Sequence, residues 1–126
     1  TNAPGSSRYF VGGVVAYSYA LKSSALGGYP AVIERDGAGS DEAARQMGRG
    51  VRAMCGRDVA VAITGIAGPG GGTDAKPVGL TYIAVVDAAG EEVARHVFHG
   101  DREGVKQRAS QTALDMLRRR LIAARP

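Results

Sequence analysis

The residues best suited to chemistry lie in a glycine-rich stretch from Thr64 to Gly79, TGIAGPGGGTDAKPVG. Its sixteen residues hold six glycines and two prolines, a composition that excludes a regular helix or strand. Glycine allows positive φ and lets a ligand approach the main chain, so the amide N–H groups of such a loop can surround an anion. Lys76 adds a cation at the far end of the loop. The stretch predicts an anion cradle, and a long surface turn explains the glycines equally well.

The segments on either side of the loop are typical of core strands, since Val59 to Ile63 and Val78 to Val86 are apolar runs. This setting excludes the generic phosphate motifs. A P-loop needs a serine or threonine after its lysine and a helix behind it, whereas Pro77 and a strand follow Lys76. A dinucleotide fingerprint needs a third glycine where Thr73 stands, again with a helix behind it.

Further motifs occur along the chain in a fixed order around this loop. They are Pro4–Ser7, Tyr9–Ser18, Lys22, Ser40–Ala43, Gly50–Arg52 and Gly100–Arg102. Together with TGIAGPGGG and KPVG, these motifs resemble the signature of the CinA C-terminal domain family, the nicotinamide-nucleotide amidases. The resemblance covers nearly the whole chain.

The resemblance implies hydrolysis of the carboxamide of nicotinamide mononucleotide to nicotinate mononucleotide and ammonia, with no metal and no organic cofactor. A serine attacks, a lysine serves as base and a tyrosine lies close to both. The tyrosine corresponds to Tyr17 and the lysine to Lys22. The expected substrate-binding residues are Thr64, Gly65, Ala67, Gly68, Pro69, Gly70, Gly71, Lys76 and Arg102.

The local physics agrees with a role for the Tyr17–Lys22 pair. Tyr17 ends a predicted strand and Lys22 lies about one turn into the next helix, so both tips can reach the same edge of the sheet. A lysine near a helix N-terminus is disfavoured as a cation, and its lowered pKa suits a base near neutral pH. Without the resemblance, the sequence predicts only a half-buried tyrosine and a solvent-exposed lysine at these two positions. Tyr19 stands where family members often carry asparagine, so contacts beside the pair are expected to differ.

The nucleophilic serine of the family belongs to a Glu-Ser-Cys-Thr-Gly-Gly segment that the 126 residues do not contain. We therefore expect the family's first strand and helix to be missing here, and the chain to be part of a longer protein. Ser6, Ser7 and Ser18 are poor substitutes, and Thr1 would have to use its own α-amine as base. The rival function is a catalytically silent domain that binds a nucleotide or a partner protein.

Composition indicates a single globular domain over residues 1–126, with 44% hydrophobic residues. No apolar run reaches the roughly 20 residues of a membrane span, no leader is apparent, and the single Cys55 fits a reducing cytoplasm. The net charge of +4 comes largely from arginines late in the chain, where a helix dipole favours them. Few aromatic residues could stack on bases, so nucleic-acid binding is not expected, and a DNA-associated role rests on basicity alone. A homodimer is a reasonable expectation.

The predicted elements place these motifs in an α/β fold. Strands are expected at 9–18, 58–64, 78–87 and 92–99, helices at 19–26 and 40–55, and a loop at 31–39. Gly27 and Gly28 end the first helix, Ser40 caps the second and Gly56 ends it, and Asp101 caps the last. The core-facing positions of that last helix are Val105, Ala109, Ala113, Met116 or Leu117, and Leu121. The order predicts a three-layer sandwich with a mixed β-sheet. His96 and His99 would point to opposite faces of their strand, so no metal site is expected.

Overall fold

The computed structural model of the protein describes residues 1–27 and 30–126. The helices are α1 (Tyr19–Leu26), α2 (Pro30–Asp36), α3 (Asp41–Cys55) and α4 (Arg102–Ala123). The strands are β1 (Val59–Gly65), β2 (Leu80–Asp87) and β3 (Gly90–Val97), and a short 3-10 helix covers Ser6–Arg8.

The strands form a sheet in the order β1-β2-β3, with both neighbouring pairs antiparallel. The β2–β3 turn is short, and the Asp87 carboxylate stabilises it by accepting hydrogen bonds from the N–H groups of Ala89 and Gly90, at 2.9 and 3.0 Å. The longer connection between β1 and β2 is the glycine-rich loop.

Helices cover both faces of the sheet, which confirms the three-layer α/β sandwich. On one face Ala44 of α3 packs with Ala62, Ala84 and Val86. On the other face Ala113 and Met116 of α4 pack with Ile83 and Val85. Side chains of β2 alternate between the two faces, so this strand is apolar over most of its length.

The helix ends follow the predicted capping residues. The Ser40 hydroxyl accepts from the Ala43 N–H and the Asp101 carboxylate accepts from the Gly104 N–H. Gly56 takes the left-handed conformation that ends α3. Gly27 does the same at the end of α1, and its predicted partner Gly28 lies outside the described residues.

Two element predictions were wrong. Residues 9–18 form no strand, because no neighbouring strand pairs with them in the described part of the chain. The predicted loop at 31–39 is largely helical, since α2 covers most of it. Pro30 is the first residue of α2, where a missing N–H costs nothing and the fixed φ suits a helix.

Two further details of the predicted fold need correction. The three strands of the described sheet are all antiparallel, so these residues do not form the mixed sheet that was expected. Leu121 is 50% exposed rather than core, whereas Val105, Ala109, Ala113 and Met116 are buried. Within the described part of the chain, no helix has both the length and the apolar character needed to cross a bilayer.

Candidate functional site

The glycine-rich loop leaves the sheet where β1 ends and returns where β2 begins. Its base is closed by two hydrogen bonds, from the Ile66 N–H to the Leu80 carbonyl at 2.9 Å and from the Gly79 N–H to the Ile66 carbonyl at 2.7 Å. Further out, the Thr73 N–H donates to the Lys76 carbonyl at 2.8 Å and the Lys76 N–H donates to the Thr73 hydroxyl at 3.0 Å. Hydrogen bonds within the loop and at its base therefore hold its shape.

Two glycines of the loop are required by its shape. Gly68 has φ +84°, and a Cβ atom there would lie 2.5 Å from Cγ1 of Val78. Gly79 has φ +93°, and a Cβ atom there would lie 2.0 Å from the carbonyl oxygen of Phe98. These positions exclude other residues on both backbone and steric grounds. The peptide bond between Gly68 and Pro69 is cis.

Several amide groups of the loop are not used in hydrogen bonds within the described part of the protein. Among residues 1–27 and 30–126, the N–H groups of Ala67, Gly68, Gly70 and Gly71 have no hydrogen-bond acceptor. A run of unpaired backbone donors in a loop that holds its own shape is the arrangement that binds anions. The loop geometry is therefore compatible with the predicted cradle.

Three predicted site residues fix the loop to its neighbours. The Thr64 hydroxyl donates to the Ala38 carbonyl at 2.6 Å. The Lys76 ammonium donates to the carbonyl of Asp36 at the end of α2. The Arg102 guanidinium donates to the Gly68 carbonyl at 2.8 Å. Lys76 and Arg102 thus position the loop, and the further N–H groups of each side chain leave capacity for an anion.

A cavity of about 240 Å³ lies beside the loop, between the sheet and the first turns of α4. Its lining is mostly apolar, with the hydroxyls of Thr81 and Ser110 and the amine of Lys106 as polar groups. The remaining lining residues are Ile63, Gly65, Ile66, Ala67, Val105 and Ala109.

Lys22 lies on the other side of the sheet, near α3. The Ser18 hydroxyl caps α1 by accepting from the Leu21 N–H, which places Lys22 in the first turn. The Lys22 ammonium lies 5.9 Å from the centre of the Tyr19 ring. Its stem lines a small cavity with residues of α2 and α3, and this burial lowers the pKa of Lys22. The direction agrees with the sequence prediction, but the cause is burial rather than the helix terminus.

Of the predicted site residues, the structure joins Arg102 to the glycine loop. Arg102 contacts the glycine loop, whereas Lys22 belongs to the α1–α3 side. Tyr17 is 82% exposed, and no hydrogen bond or shared cavity in the described residues joins it to Lys22, nor Lys22 to the loop. The pairing of Tyr17 with Lys22 stays a prediction.

Sequence reasoning missed the contacts that hold this region in place. The backbone carbonyls of Asp36 and Ala38 accept hydrogen bonds from the side chains of Lys76 and Thr64. The residue type does not show which backbone carbonyls will accept such bonds. Tyr19 departs from the family pattern, and this departure indicated different contacts beside Lys22. The contact between the Tyr19 ring and the Lys22 ammonium itself was not predicted.

Comparison with known proteins relates this chain to one protein family. The CinA C-terminal domain matches residues 1–121. A curated relative from Moorella thermoacetica, named as a competence-damage inducible protein, is 50% identical over 98% of this chain and 30% of its own length. The chain spans about the same share, 30%, of other curated relatives from Koribacter versatilis and Geobacter sulfurreducens, named CinA-like proteins.

Solved structures agree with the sequence comparison. The competence damage-inducible protein A of Klebsiella pneumoniae matches with a TM-score of 0.92 and 30% identity, covering 98% of this chain and 76% of that one. A CinA superfamily protein of Escherichia coli matches with a TM-score of 0.88 and 31% identity, covering 92% of this chain and 67% of that one. The chain belongs to the CinA C-terminal domain family.

Proposed function

We propose that the protein containing this chain hydrolyses the carboxamide of nicotinamide mononucleotide, giving nicotinate mononucleotide and ammonia. Membership of the family supports the reaction class. The observation that carries the proposal is Lys22, a half-buried lysine with a lowered pKa at the position of the family's base. A lowered pKa increases the neutral fraction of a lysine, and a neutral amine can accept a proton from a hydroxyl group.

In the proposed reaction Lys22 removes the proton of the attacking serine hydroxyl as the serine oxygen bonds to the amide carbon. Collapse of the tetrahedral intermediate breaks the carbon–nitrogen bond, and the proton held by Lys22 passes to the departing ammonia. Water then cleaves the acyl-enzyme ester and releases the carboxylate. The serine belongs to the Glu-Ser-Cys-Thr-Gly-Gly segment of the family, which lies outside these residues. Tyr17 would help to orient the hydroxyl or the base.

The glycine loop would bind the anionic part of the reacting substrate. Its unpaired amides fit either the phosphate or the oxyanion that develops during attack. Arg102 and Lys76 favour the phosphate, since both hold the loop and place positive charge beside it. The proposed ligand is therefore a small phosphorylated pyridine, bound without a metal or organic cofactor.

The direct test is release of ammonia by the protein expressed from its complete reading frame. Nicotinamide mononucleotide should give one ammonia for each nicotinate mononucleotide formed, and nicotinamide riboside, which lacks the phosphate, should be a much poorer substrate. Absence of turnover with either compound would refute the amidase. Calorimetric binding of the mononucleotide without turnover would support the rival function, a silent nucleotide-binding domain.

A further inference from the structure

The α2–α3 connection, residues 36–40, accepts hydrogen bonds from two side chains of the glycine-rich stretch. The Lys76 ammonium donates to the Asp36 carbonyl, one of the carbonyls that the end of α2 leaves without a partner inside the helix. The Thr64 hydroxyl donates to the Ala38 carbonyl at 2.6 Å, and this hydrogen bond is buried. The glycine-rich stretch and the α2–α3 connection are therefore fixed to each other at two points.

The contact of Lys76 with this connection also depends on the shape of the backbone. Gly37 has φ +76°, and a Cβ atom there would lie 2.8 Å from Nζ of Lys76. That distance is shorter than van der Waals contact, so a side chain at position 37 would displace the ammonium. The missing side chain of Gly37 thus makes room for Lys76 at the end of α2.

The α2–α3 connection continues into two walls of the small cavity that holds the Lys22 stem. The Gly37 N–H donates to the Ile33 carbonyl at 2.9 Å. The Ser40 hydroxyl donates to the Gly37 carbonyl at 3.0 Å and accepts from the Ala43 N–H at 3.2 Å. Ile33 of α2 and Ala43 of α3 both line the cavity. Hydrogen bonds therefore lead from the glycine-rich stretch to two walls of this cavity.

The groups that face Lys22 make its charge sensitive to the shape of the cavity. On α1, the titratable Tyr19 presents its ring to the ammonium. The cavity residues of α2 and α3 are uncharged and are Ile33, Ala43, Gln46 and Met47. Burial lowers the pKa of Lys22. A cavity that opened would admit water to the amine and return this pKa towards its ordinary value.

We propose that Lys76 is a positioning residue for Lys22 and acts through the α2–α3 connection. By fixing the end of α2, Lys76 keeps Ile33 beside Lys22 and water away from the amine. Thr64 supports the same connection. The catalytic importance of this link rests on the proposed amidase function, in which Lys22 is the base, whereas the link itself is a property of the folded protein. In that reaction the glycine loop would serve both the substrate and the base.

Titration of Lys22 tests the link without any substrate. Isotope-labelled lysine side chains are followed by NMR in the protein expressed from its complete reading frame, and the Lys22 signal is the one that Lys22→Met removes. Lys76→Met keeps an aliphatic stem but cannot donate to Asp36, so the midpoint of the Lys22 titration should move to higher pH. Arg102→Met is the matched control, because Arg102 also fixes the loop but does so at the Gly68 carbonyl. It should leave the Lys22 midpoint at the wild-type value.

Hydrogen exchange measures the same link on the backbone. The Gly37 N–H should exchange about tenfold faster in Lys76→Met than in wild type, as expected when a hydrogen bond from a charged group is lost. An unchanged Lys22 midpoint or unchanged Gly37 exchange in the folded variant would overturn the proposal. An equal shift of the midpoint in Arg102→Met would also overturn it, because the loop as a whole would then control Lys22. Neither measurement uses turnover, so failure of the amidase proposal would leave this result standing.

Discussion

Lys22 is subject to two opposing influences on its charge. Burial disfavours the ammonium form and lowers the pKa, whereas the face of the Tyr19 ring 5.9 Å away favours the cation. The ring is therefore expected to modulate the pKa of Lys22, the proposed base, which is half-buried beside α2 and α3.

Substitution of Tyr19 tests this balance. A lysine base must be neutral, so kcat/KM should fall as pH falls through the pKa of Lys22. Tyr19→Ala removes the cation–π contact, lowers that pKa further and moves the acidic limb of the profile to lower pH. Tyr19→Phe keeps the ring and should retain the wild-type profile. A limb that moves to higher pH in the alanine variant would mean that the ring acts chiefly by excluding water.

The glycine loop is the element proposed to bind the substrate, and its shape depends on few positions. At Gly68 the backbone conformation is left-handed and Val78 fills the space where a Cβ atom would go. At Gly70 the φ angle is not in that region and no atom lies within 4 Å of such a Cβ. Two glycines separated by one proline thus differ in what they tolerate.

An alanine at each position should separate these roles. Gly68→Ala should lower the free energy of unfolding by roughly 1–3 kcal/mol, from backbone strain and the clash with Val78. Gly70→Ala should change it by less than about 0.5 kcal/mol. Urea titration of both variants measures the difference, and an equal cost at the two positions would show that the loop shape does not depend on Gly68.

At the scale of the whole molecule, an ion pair between Asp87 and Arg120 joins the hairpin turn to the last helix. The Arg120 guanidinium donates to both oxygens of Asp87 at 2.7 Å, and these hydrogen bonds lower the pKa of Asp87 to about 2. A depressed carboxyl pKa stabilises the fold above the unfolded-state value of about 3.9, and this contribution is lost as pH falls towards 2.

Asp87→Asn keeps an acceptor for the turn but removes the charge. The variant should unfold at lower urea concentration than wild type at pH 7, and the gap should close between about pH 4 and pH 2. Asp115→Asn is the control, since its pairs with Arg118 and Arg119 are exposed and contribute little. A constant gap across this pH range would show that the Asp87 charge does not stabilise the fold.

Sequence patterns predicted most of the fold because its signals are local. Ser40, Gly56 and Asp101 mark helix ends, and the apolar runs around the glycine loop mark β1 and β2. The strand prediction for residues 9–18 was wrong because a strand needs a neighbouring strand, and no local pattern shows whether one is present. The position of the glycine loop between two strands was predicted correctly. The hydrogen bonds that fix the loop to the carbonyls of Asp36 and Ala38 were not predicted, because they depend on how distant segments pack.

The measurement that tests the central claim most directly is the turnover of a Lys22→Met variant of the protein expressed from its complete reading frame. Methionine keeps the length and apolar character of the buried stem but cannot accept a proton. With nicotinamide mononucleotide, kcat should fall by about 100-fold or more while the Tm stays near the wild-type value. Wild-type kcat in a folded Lys22→Met protein would contradict the assignment of Lys22 as the base.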